Sequence, residues 1–373
     1  MSTSSNTTSR RRVVMAAARY LPLMGGIETH VHEVGTRLAR RGWEVTVLTS
    51  LPPGNGPAEE EREGLRIVRL PIRAFANSDF YVVPDIARRI AAGGWDLVHV
   101  QGCHTAVPPF AMLGAQRGGL PYVVTFHTGG HSQAWRNRIR ALQWWLLRPL
   151  FAGARKLIGV SRFEATFFQR LLRLPAAQFT VIPNGGLLPP PPGRPPFDDD
   201  GLIIASVGRL ERYKGHHRVI AALPAMLRCQ PNARVWVVGA GPYEGALRAL
   251  AEREGVADRV RIFAVPPADR AAMSAVYARA DVVALLSDYE AHPVAVMEAL
   301  ALRRPVVVMR TSGLAEIAEE GLAGAVDRRS SPEEIAETLL AQVGKPPPPY
   351  ELPTWDRCVQ QLELVYFEAL AAR

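Results

Sequence analysis

Ser287-Asp-Tyr-Glu290-Ala-His-Pro-Val-Ala-Val-Met-Glu298 places two glutamates eight residues apart, directly after the apolar run 282–286. The run predicts a buried strand, so Glu290 is expected at the turn into a helix over Ala291–Ala301. Open α/β sheets bind ligands at such strand ends. In a continuous helix Glu298 would lie about 12 Å along the axis and about 80° around it from Glu290. Free helical N–H groups favour an anion, so the spacing suits a nucleotide-diphosphate sugar. A helix with two unrelated glutamates fits the same residues.

The composition predicts a globular protein with room for two domains. The chain has 373 residues, 48% of them hydrophobic, and a mean hydropathy of zero. Cys103, Cys229 and Cys358 are far apart and form no CxxC pair, so neither a disulfide framework nor a zinc site is expected. A reducing, cytoplasmic compartment is the resulting expectation. No apolar run approaches the roughly 18 residues of a membrane-spanning helix. The Ser/Thr-rich residues 1–12 are expected to form a disordered tail.

The positive charge is concentrated in one segment. The net charge is +9, and residues 97–163 contain eight Lys or Arg residues and no Asp or Glu. Within 136–156, basic residues surround Trp144-Trp145-Leu-Leu-Arg-Pro-Leu-Phe151, which is typical of a helix lying on an anionic lipid surface. An ordinary helix with core tryptophans and solvated arginines fits equally well. No recognised nucleic-acid motif accompanies the charge, so nucleic acid is not an expected partner.

Strands and helices alternate in two rounds along the chain. The predicted strands of the second half are continuous apolar runs, as expected for parallel strands buried on both faces. They are Leu202–Val207, Val235–Val238, Val260–Phe263, Val282–Leu285 and Val306–Val308. The Pro-rich run 186–200 predicts a linker between domains over 13–185 and 201–353. One last helix is expected within 354–373. We therefore predict two doubly wound α/β domains with a ligand cleft between them.

Two loops after predicted strands carry residues suited to a phosphorylated ligand. Gly25 and Gly26 open the first helix, where their backbone amides could approach a phosphate or sugar closely. Gly208, Arg209 and Lys214 follow the first strand of the second half. Arg209 can grip phosphate oxygens in a fork, and Lys214 adds a point charge. Taken singly, an ordinary turn and two solvated cations fit these residues as well.

A third glycine turn and one histidine complete the candidates. Gly239 and Gly241 follow the next strand, but a full GxGxxG is absent because position 244 is Glu. His127 follows a strand of the first half. A lone histidine in such a place is more often a hydrogen-bonded scaffold residue than a catalyst.

The order of the motifs is more specific than any one of them. The series is Gly25-Gly-Ile-Glu28, Val181-Ile-Pro-Asn-Gly185, Gly208-Arg-Leu…Lys214-Gly, Gly239-Ala-Gly-Pro242, and Glu290…Glu298 followed by Ala299-Leu-Ala-Leu-Arg-Arg-Pro305. This series resembles the retaining nucleotide-sugar glycosyltransferases of family 4, also called glycosyl transferase group 1, with the GT-B fold. The resemblance runs from about Val13 to the final helix. It implies two Rossmann-like domains, the first binding the acceptor and the second binding the nucleotide sugar, and a final helix that crosses back to the first.

The resemblance also implies a role for each motif residue. Arg209 and Lys214 would hold the donor diphosphate and neutralise the leaving group, with no metal and no cofactor. Glu298 would bond the ribose hydroxyls. Glu290 would contact the transferred sugar near the reacting centre, and His127 would lie near that sugar on the acceptor side.

Further donor contacts follow from the same resemblance, and one motif departs from the family pattern. The implied contacts are Gly25, Gly26, Gly208, Gly239, Gly241, His292, Pro293 and Val294. The usual Glu-Gly-Phe-Gly is Glu290-Ala-His-Pro293 here. Pro293 has no N–H, so it cannot donate the backbone bond that glycine would give a sugar hydroxyl. This leaves the identity of the sugar open. His292 either faces the sugar or packs.

The expected function is transfer of a hexose from a nucleotide-diphosphate sugar to an acceptor hydroxyl, with retention of configuration. A lipid-linked or membrane acceptor would fit the basic segment 136–156 and a peripheral position on the inner face of the membrane. A nucleotide-sugar epimerase, a phosphorolytic enzyme of the same fold and a noncatalytic membrane-associated scaffold are the alternatives.

Overall fold

The molecule consists of two α/β halves built on separate sheets. The computed structural model describes residues 10–22, 25–51, 57–74, 81–83, 85–103, 105–127, 134–186, 188–191, 196–266 and 269–372, and only the backbone of 73–74, 81–82 and 134–142. Residues 1–9 of the tail expected over 1–12 lie outside the described residues, as do residues 187 and 192–195 of the expected linker.

The N-terminal half contains one large twisted sheet and a small ribbon. Its strands are β1 (Arg12–Ala16), β2 (Glu44–Leu51), β3 (Glu59–Arg62), β4 (Leu65–Pro71), β5 (Arg73–Ala74), β6 (Tyr81–Val82), β7 (Leu97–Gln101), β8 (Tyr122–Thr125), β9 (Lys156–Gly159) and β10 (Phe179–Val181). Its helices are α1 (Gly26–Arg40), α2 (Asp85–Ala92), α3 (Val107–Arg117), α4 (Ala134–Ala152) and α5 (Arg162–Leu172). The eight-stranded sheet has the order β10-β9-β8-β7-β1-β2-β4-β3. Its pairs are parallel except β3 with β4, and β5 pairs with β6 in the ribbon.

The C-terminal half is a second, fully parallel sheet. Its strands are β11 (Ile203–Val207), β12 (Arg234–Val238), β13 (Val260–Phe263), β14 (Val282–Leu285), β15 (Val306–Met309) and β16 (Gly324–Val326). Its helices are α6 (His216–Cys229), α7 (Glu244–Arg253), α8 (Arg270–Arg279), α9 (Val294–Ala301), α10 (Ser312–Glu319) and α11 (Pro332–Gln342), and α12 (Trp355–Ala371) ends the chain. The six-stranded order is β13-β12-β11-β14-β15-β16. Helices cover both faces, which explains why β11, β14 and β15 are buried along their whole length.

The last helix, α12, packs on the N-terminal half. Its side chains Trp355, Val359 and Leu362 share one apolar core with β1 and α1. Each such buried side chain contributes about 1.5–3 kcal/mol of transfer free energy. The Tyr366 hydroxyl lies 2.6 Å from Nδ1 of His99 on β7. The chain therefore returns to its first half after completing the second.

The predicted helix over Ala291–Ala301 is wrong at its start. The helix α9 begins at Val294, and Pro293 is its N-cap in an extended conformation. A residue that precedes proline disfavours the helical region, so His292 stays outside the helix. Glu290 and Glu298 consequently do not share one continuous helix, and the axial spacing expected for them does not apply.

The sequence pattern also missed β3, at the edge of the first sheet, and placed the first residue of β1 in the tail. The charged run Glu59–Arg62 forms β3, an edge strand whose side chains are largely solvent-facing. Edge strands often carry charge because it discourages pairing with other chains, and such runs lack the apolar signal of a core strand. Arg12, which was placed in the tail, is the first residue of β1, and its N–H donates to Asp96 at 2.7 Å.

Candidate functional site

Two charged side chains meet at the carboxyl ends of β11 and β14. These strands are neighbours, and the sheet continues from β11 to β12 on one side and from β14 to β15 on the other. Such a switch point opens a crevice between the connecting loops. Lys214 follows β11 and Glu290 follows β14, and Nζ of Lys214 lies 2.5 Å from Oε1 of Glu290. The structure thus joins two residues that the sequence proposed as catalytic.

Two stacked tyrosines flank this ion pair. The rings of Tyr213 and Tyr289 lie 4.5 Å apart between centroids and are nearly parallel. Nζ of Lys214 is 5.3 Å from the centroid of the Tyr213 ring. The side chains of Lys214 and Glu290 keep only 15% and 14% of their exposure. The pair is therefore sheltered from solvent. Nothing in the sequence marked these tyrosines, because their contact joins loops that are far apart along the chain.

Arg209 is the more accessible of the two predicted cations. Its side chain is 55% exposed and bonds to Oε1 of Glu211 at 2.6 Å. It also donates to the Tyr213 hydroxyl at 2.8 Å. Burial raises the pKa of Glu28 on α1, and the positive charges of Arg19 and Arg209 oppose that rise. Arg209 on the C-terminal half therefore lies near enough to Glu28 on the N-terminal half for their charges to interact.

Glu298 lies inside the C-terminal half and already has two partners. It is 4% exposed, accepts a short bond from Arg270, and accepts from the Tyr277 hydroxyl at 3.2 Å. Burial raises the pKa of the Glu298 carboxyl, while Arg270 opposes the rise. Both partners come from α8, twenty-eight and twenty-one residues away. No local sequence signal linked them to Glu298.

Backbone packing requires glycine in the predicted turns after β11 and β12. Gly208 and Gly239 have φ values of 151° and 154°, which L side chains rarely adopt. A Cβ at Gly239 would lie 2.0 Å from the Gly208 carbonyl oxygen, and one at Gly241 would lie 2.5 Å from that of Leu210. The loops after β11 and β12 therefore pack backbone on backbone, which holds Arg209 in place.

On the N-terminal half, Gly25 and Gly26 lie at the start of α1. Gly25 is the N-cap and, as a glycine, forms no side-chain capping bond. Among the described residues, a Cβ at Gly26 would meet nothing within 4 Å, whereas one at Gly25 would lie 2.6 Å from Oε2 of Glu28. Free N–H groups at a helix start favour an anion or a sugar oxygen.

His127 lies in a cluster of histidines beside the first sheet. Its φ is 58°, and Nε2 is 2.7 Å from Oε1 of Gln101. Its ring centroid is 4.5 Å from that of His30, whose pKa is lowered to about 4 by burial. His30 Nδ1 is 2.8 Å from Oδ1 of Asn184, and Nδ2 of Asn184 donates to the His292 carbonyl at 3.3 Å. Asn184 therefore connects the histidine cluster to the loop that carries Glu290.

The three residues after Ala291 differ in their surroundings. Pro293 is buried, while His292 and Val294 are partly buried. Burial lowers the pKa of His292 to about 4. Its Nδ1 has no hydrogen-bond partner among the described residues. The imidazole is thus neutral at ordinary pH and keeps one nitrogen for a further bond.

The two tryptophans of the basic segment 136–156 differ in their exposure to solvent. Trp144 is buried with Phe151 and Phe168, whereas Trp145 and Leu146 are 68% and 60% exposed. The side chains of Arg136, Arg138 and Arg140 lie outside the described residues. Within the part of the chain that the structure covers, no helix is long and apolar enough to cross a bilayer. The same residues contain no group of three His, Cys, Asp or Glu side chains placed to share a metal ion.

Two family models match the chain in succession. Residues 24–185 match the model described as Glycosyltransferase Family 4, and residues 192–346 match Glycosyl transferases group 1. Glycogen synthase of Mycobacterium tuberculosis is 29% identical over 346 residues, which cover 84% of this chain and 81% of that protein.

Solved structures share the whole architecture. Sucrose-phosphate synthase of Thermosynechococcus elongatus has a TM-score of 0.75 at 19% identity, covering 98% of this chain and 100% of that one. An Anabaena protein, HepE, solved in complex with UDP, has a TM-score of 0.67 at 18% identity, covering 97% and 96%. The similarity extends over both halves of the chain, which confirms the expected two-domain GT-B architecture.

Proposed function

The chain belongs to the glycosyltransferases of family 4, and on that basis we propose that it transfers a hexose from a nucleotide-diphosphate sugar to an acceptor hydroxyl with retention of configuration. The donor would lie in the groove at the carboxyl ends of the C-terminal strands. The N-terminal half would present the acceptor.

The Lys214–Glu290 pair is the observation that carries this proposal. A diphosphate entering the groove would attract Lys214 away from the Glu290 carboxylate, 2.5 Å from it. Glu290 would then be released to accept hydroxyl groups of the sugar. Arg209, half exposed beside the same groove, would supply the second cation. By exchanging partners, Lys214 would bind the phosphates while Glu290 binds the sugar next to them.

The two cations would also drive the chemistry. As the bond between the sugar C1 and the phosphate oxygen breaks, Arg209 and Lys214 stabilise the negative charge that forms on the diphosphate. The acceptor oxygen bonds to C1 on the same face, and its proton passes to the departing phosphate. Because side chains supply this positive charge, we propose that no metal is needed. His127 would orient the sugar or the acceptor.

Glu298 would hold the nucleoside. Each carboxylate oxygen has two lone pairs, so the bonds from Arg270 and Tyr277 leave acceptor capacity for ribose hydroxyls. The HepE structure in complex with UDP supports a nucleoside diphosphate as the ligand class.

A thermal-shift screen against nucleotide-diphosphate sugars, with and without EDTA, tests the donor. A ligand at about 100 times its Kd stabilises the folded state by about 2.7 kcal/mol. We expect one donor to raise the melting temperature of the wild type but much less that of Lys214→Met, with EDTA having no effect. Epimerisation of that donor, or sugar phosphate formed on adding phosphate, would favour the alternative enzymes. Absence of any shift would favour the scaffold.

The exposed pair on α4 leads us to propose a membrane-associated acceptor, reached from the inner face. Trp145 and Leu146 would enter the interface between headgroups and acyl chains. We expect the protein to float with vesicles that contain anionic lipid at low salt, and the double change Trp145→Ala, Leu146→Ala to abolish this. Leu364→Ala is a matched control because Leu364 is also 60% exposed but lies on α12. Equal flotation of all three proteins would contradict the assignment.

A further inference from the structure

The backbone N–H and carbonyl groups of Glu290 both form hydrogen bonds with residues at the start of α10. Its N–H donates to Oγ of Ser312 at 2.8 Å. Its carbonyl accepts from the N–H of Gly313 at 2.9 Å. A Cβ at Gly313 would lie 1.7 Å from the Ala291 carbonyl oxygen, so the two segments are in direct backbone contact. The position of Glu290 therefore follows the position of α10.

Ser312 occupies a costly conformation to make this contact. Its φ is 46°, in the left-handed region that non-glycine residues seldom adopt. Such a conformation persists where surrounding contacts outweigh its cost, and it often marks a functional constraint. Here the gain is the bond between the Ser312 hydroxyl and the amide of Glu290.

The helix α10 also contacts the N-terminal half, at the start of α5, through a side chain one turn after Ser312. The helix α5 leaves four N–H groups without helical partners at its start. One of them, the N–H of Glu164, donates to Oγ of Ser161, and the Glu164 carboxylate accepts from the N–H of Val160, which precedes the helix. The N–H groups of Arg162 and Phe163, in the same turn, bond to a residue of the other half.

Glu316 supplies the missing acceptors from α10. Its Oε2 accepts from the Arg162 N–H at 3.2 Å, and its Oε1 accepts a short bond from the Phe163 N–H. The carboxylate also lies 3.7 Å from the Arg162 guanidinium, which bonds to Glu320 at 3.0 Å. A carboxylate at a helix N-terminus interacts favourably with the helix dipole. This contact links the two halves of the molecule directly.

We propose that Glu316 and Ser312 are positioning residues, which couple contact between the two halves to the placement of Glu290. Residues 312 and 316 are one helical turn apart, about 6 Å along the axis. The helix α10 is thus a short rigid lever with the N-terminal half at one point and Glu290 at the other. When Glu316 holds α5, the Ser312–Gly313 clamp holds Glu290 beside Lys214. When the halves separate, α10 loses that constraint and Glu290 shifts.

Amide hydrogen exchange on the whole protein tests the coupling without any donor. In Glu316→Ala, we expect faster exchange at 161–165, where the lost bonds lie. We also expect it at 288–293, because the polar partners of the Glu316 side chain among the described residues lie on α5 instead. Glu316→Gln keeps one acceptor oxygen and should give a smaller change. Glu319→Gln, at the exposed end of the same helix, should match the wild type. Unchanged exchange at 288–293 in Glu316→Ala would overturn the coupling.

Ser312→Ala tests the other end of the lever. Alanine has similar backbone strain at this φ, so the change isolates the hydroxyl. We expect faster exchange at 288–293 and, because coupling between two sites is reciprocal, a smaller increase at 161–165. Unchanged exchange at 288–293, or equally faster exchange at strands distant from α10, would refute the lever.

Steady-state kinetics connect the lever to catalysis, and this part rests on the proposed function. We expect Glu316→Ala and Ser312→Ala to lower kcat by roughly ten- to a hundredfold, with donor KM changed less than about twofold, because misplaced catalytic groups slow the reaction step. Glu316→Gln should recover part of kcat. A loss confined to KM would refute the positioning role. If the wild type transfers no sugar while exchange still propagates, the proposed function fails and the coupling stands.

Discussion

Replacing Lys214 by methionine removes the ammonium group beside Glu290 and keeps an apolar stem of similar length. Two separate losses follow. The Glu290 carboxylate loses a partner 2.5 Å away, and the donor diphosphate loses a cation. The first loss affects the stability of the free protein, whereas the second affects donor binding and turnover. The two can therefore be measured independently.

The burial of the pair sets the expected stability change. Breaking a fully buried ion pair costs about 3–5 kcal/mol, and breaking an exposed pair costs about 0–1 kcal/mol. Lys214 and Glu290 are 15% and 14% exposed, nearer to the buried limit. We therefore expect Lys214→Met to lower the free energy of unfolding by about 2 kcal/mol. Adding Glu290→Gln removes the unpaired charge and should restore most of that loss.

The expected effect of Lys214→Met on turnover is larger than its effect on stability. Removing one group that stabilises transition-state charge lowers kcat by about 10²–10³ in measured enzymes. We expect a loss of this size in Lys214→Met, and no recovery in the stable double variant. Urea unfolding gives the stability, and release of nucleoside diphosphate from the donor gives the rate. A folded Lys214→Met protein that retains turnover within about threefold of wild type would refute the assignment of Lys214 to the leaving group.

Three further changes test other parts of the site. Glu298→Gln should raise the dissociation constant of the nucleoside diphosphate in calorimetry more than it lowers kcat; the opposite pattern would remove Glu298 from the nucleoside site. His127→Asn tolerates the φ of 58° and should lower turnover at least about tenfold with an unchanged melting temperature, whereas an unaffected rate would restore the scaffold interpretation. Gly215→Ala should destabilise by more than about 2 kcal/mol, because φ is 78° and the new Cβ would lie 1.9 Å from the Leu286 carbonyl oxygen. Gly245→Ala, with nothing within 4 Å of its Cβ, is the control and should be neutral or stabilising in thermal unfolding.

The sequence was sufficient for β11 to β15 because parallel strands buried on both faces are continuous apolar runs. The observed β11, β13 and β14 lie within one residue of the predicted strands at each end. It was insufficient at the start of α9, where the apolar pattern extends beyond the point at which Pro293 lets a helix begin. It also missed β3, because an edge strand made of Glu59–Arg62 has no buried face to leave a pattern.

The sequence predicted which loops carry the residues of the candidate site, but it did not predict which side chains contact one another. The sequence placed Lys214 and Glu290 in loops after two strands of the second half, but their pairing depends on β11 and β14 being neighbours in the sheet. The partners of Glu298 and the clamp on Glu290 come from α8 and α10, whose sequences carry no sign of either contact. Tertiary contacts of this kind join residues distant in the chain, so local patterns cannot reveal them.

The glycines of the site show that a glycine motif can be required for backbone packing as well as for ligand binding. Gly239 is required because its Cβ would collide with the backbone at Gly208, whether or not a ligand is bound. The glycine pattern therefore identifies where two loops converge above the sheet, and it does not by itself identify what they bind. The chemical argument rests instead on charge: Arg209 and Lys214 follow β11, and Glu290 follows the neighbouring strand β14. Because removing an ion pair from water is costly, the burial of the Lys214–Glu290 pair supports our proposal that an anionic ligand takes the place of the carboxylate beside Lys214.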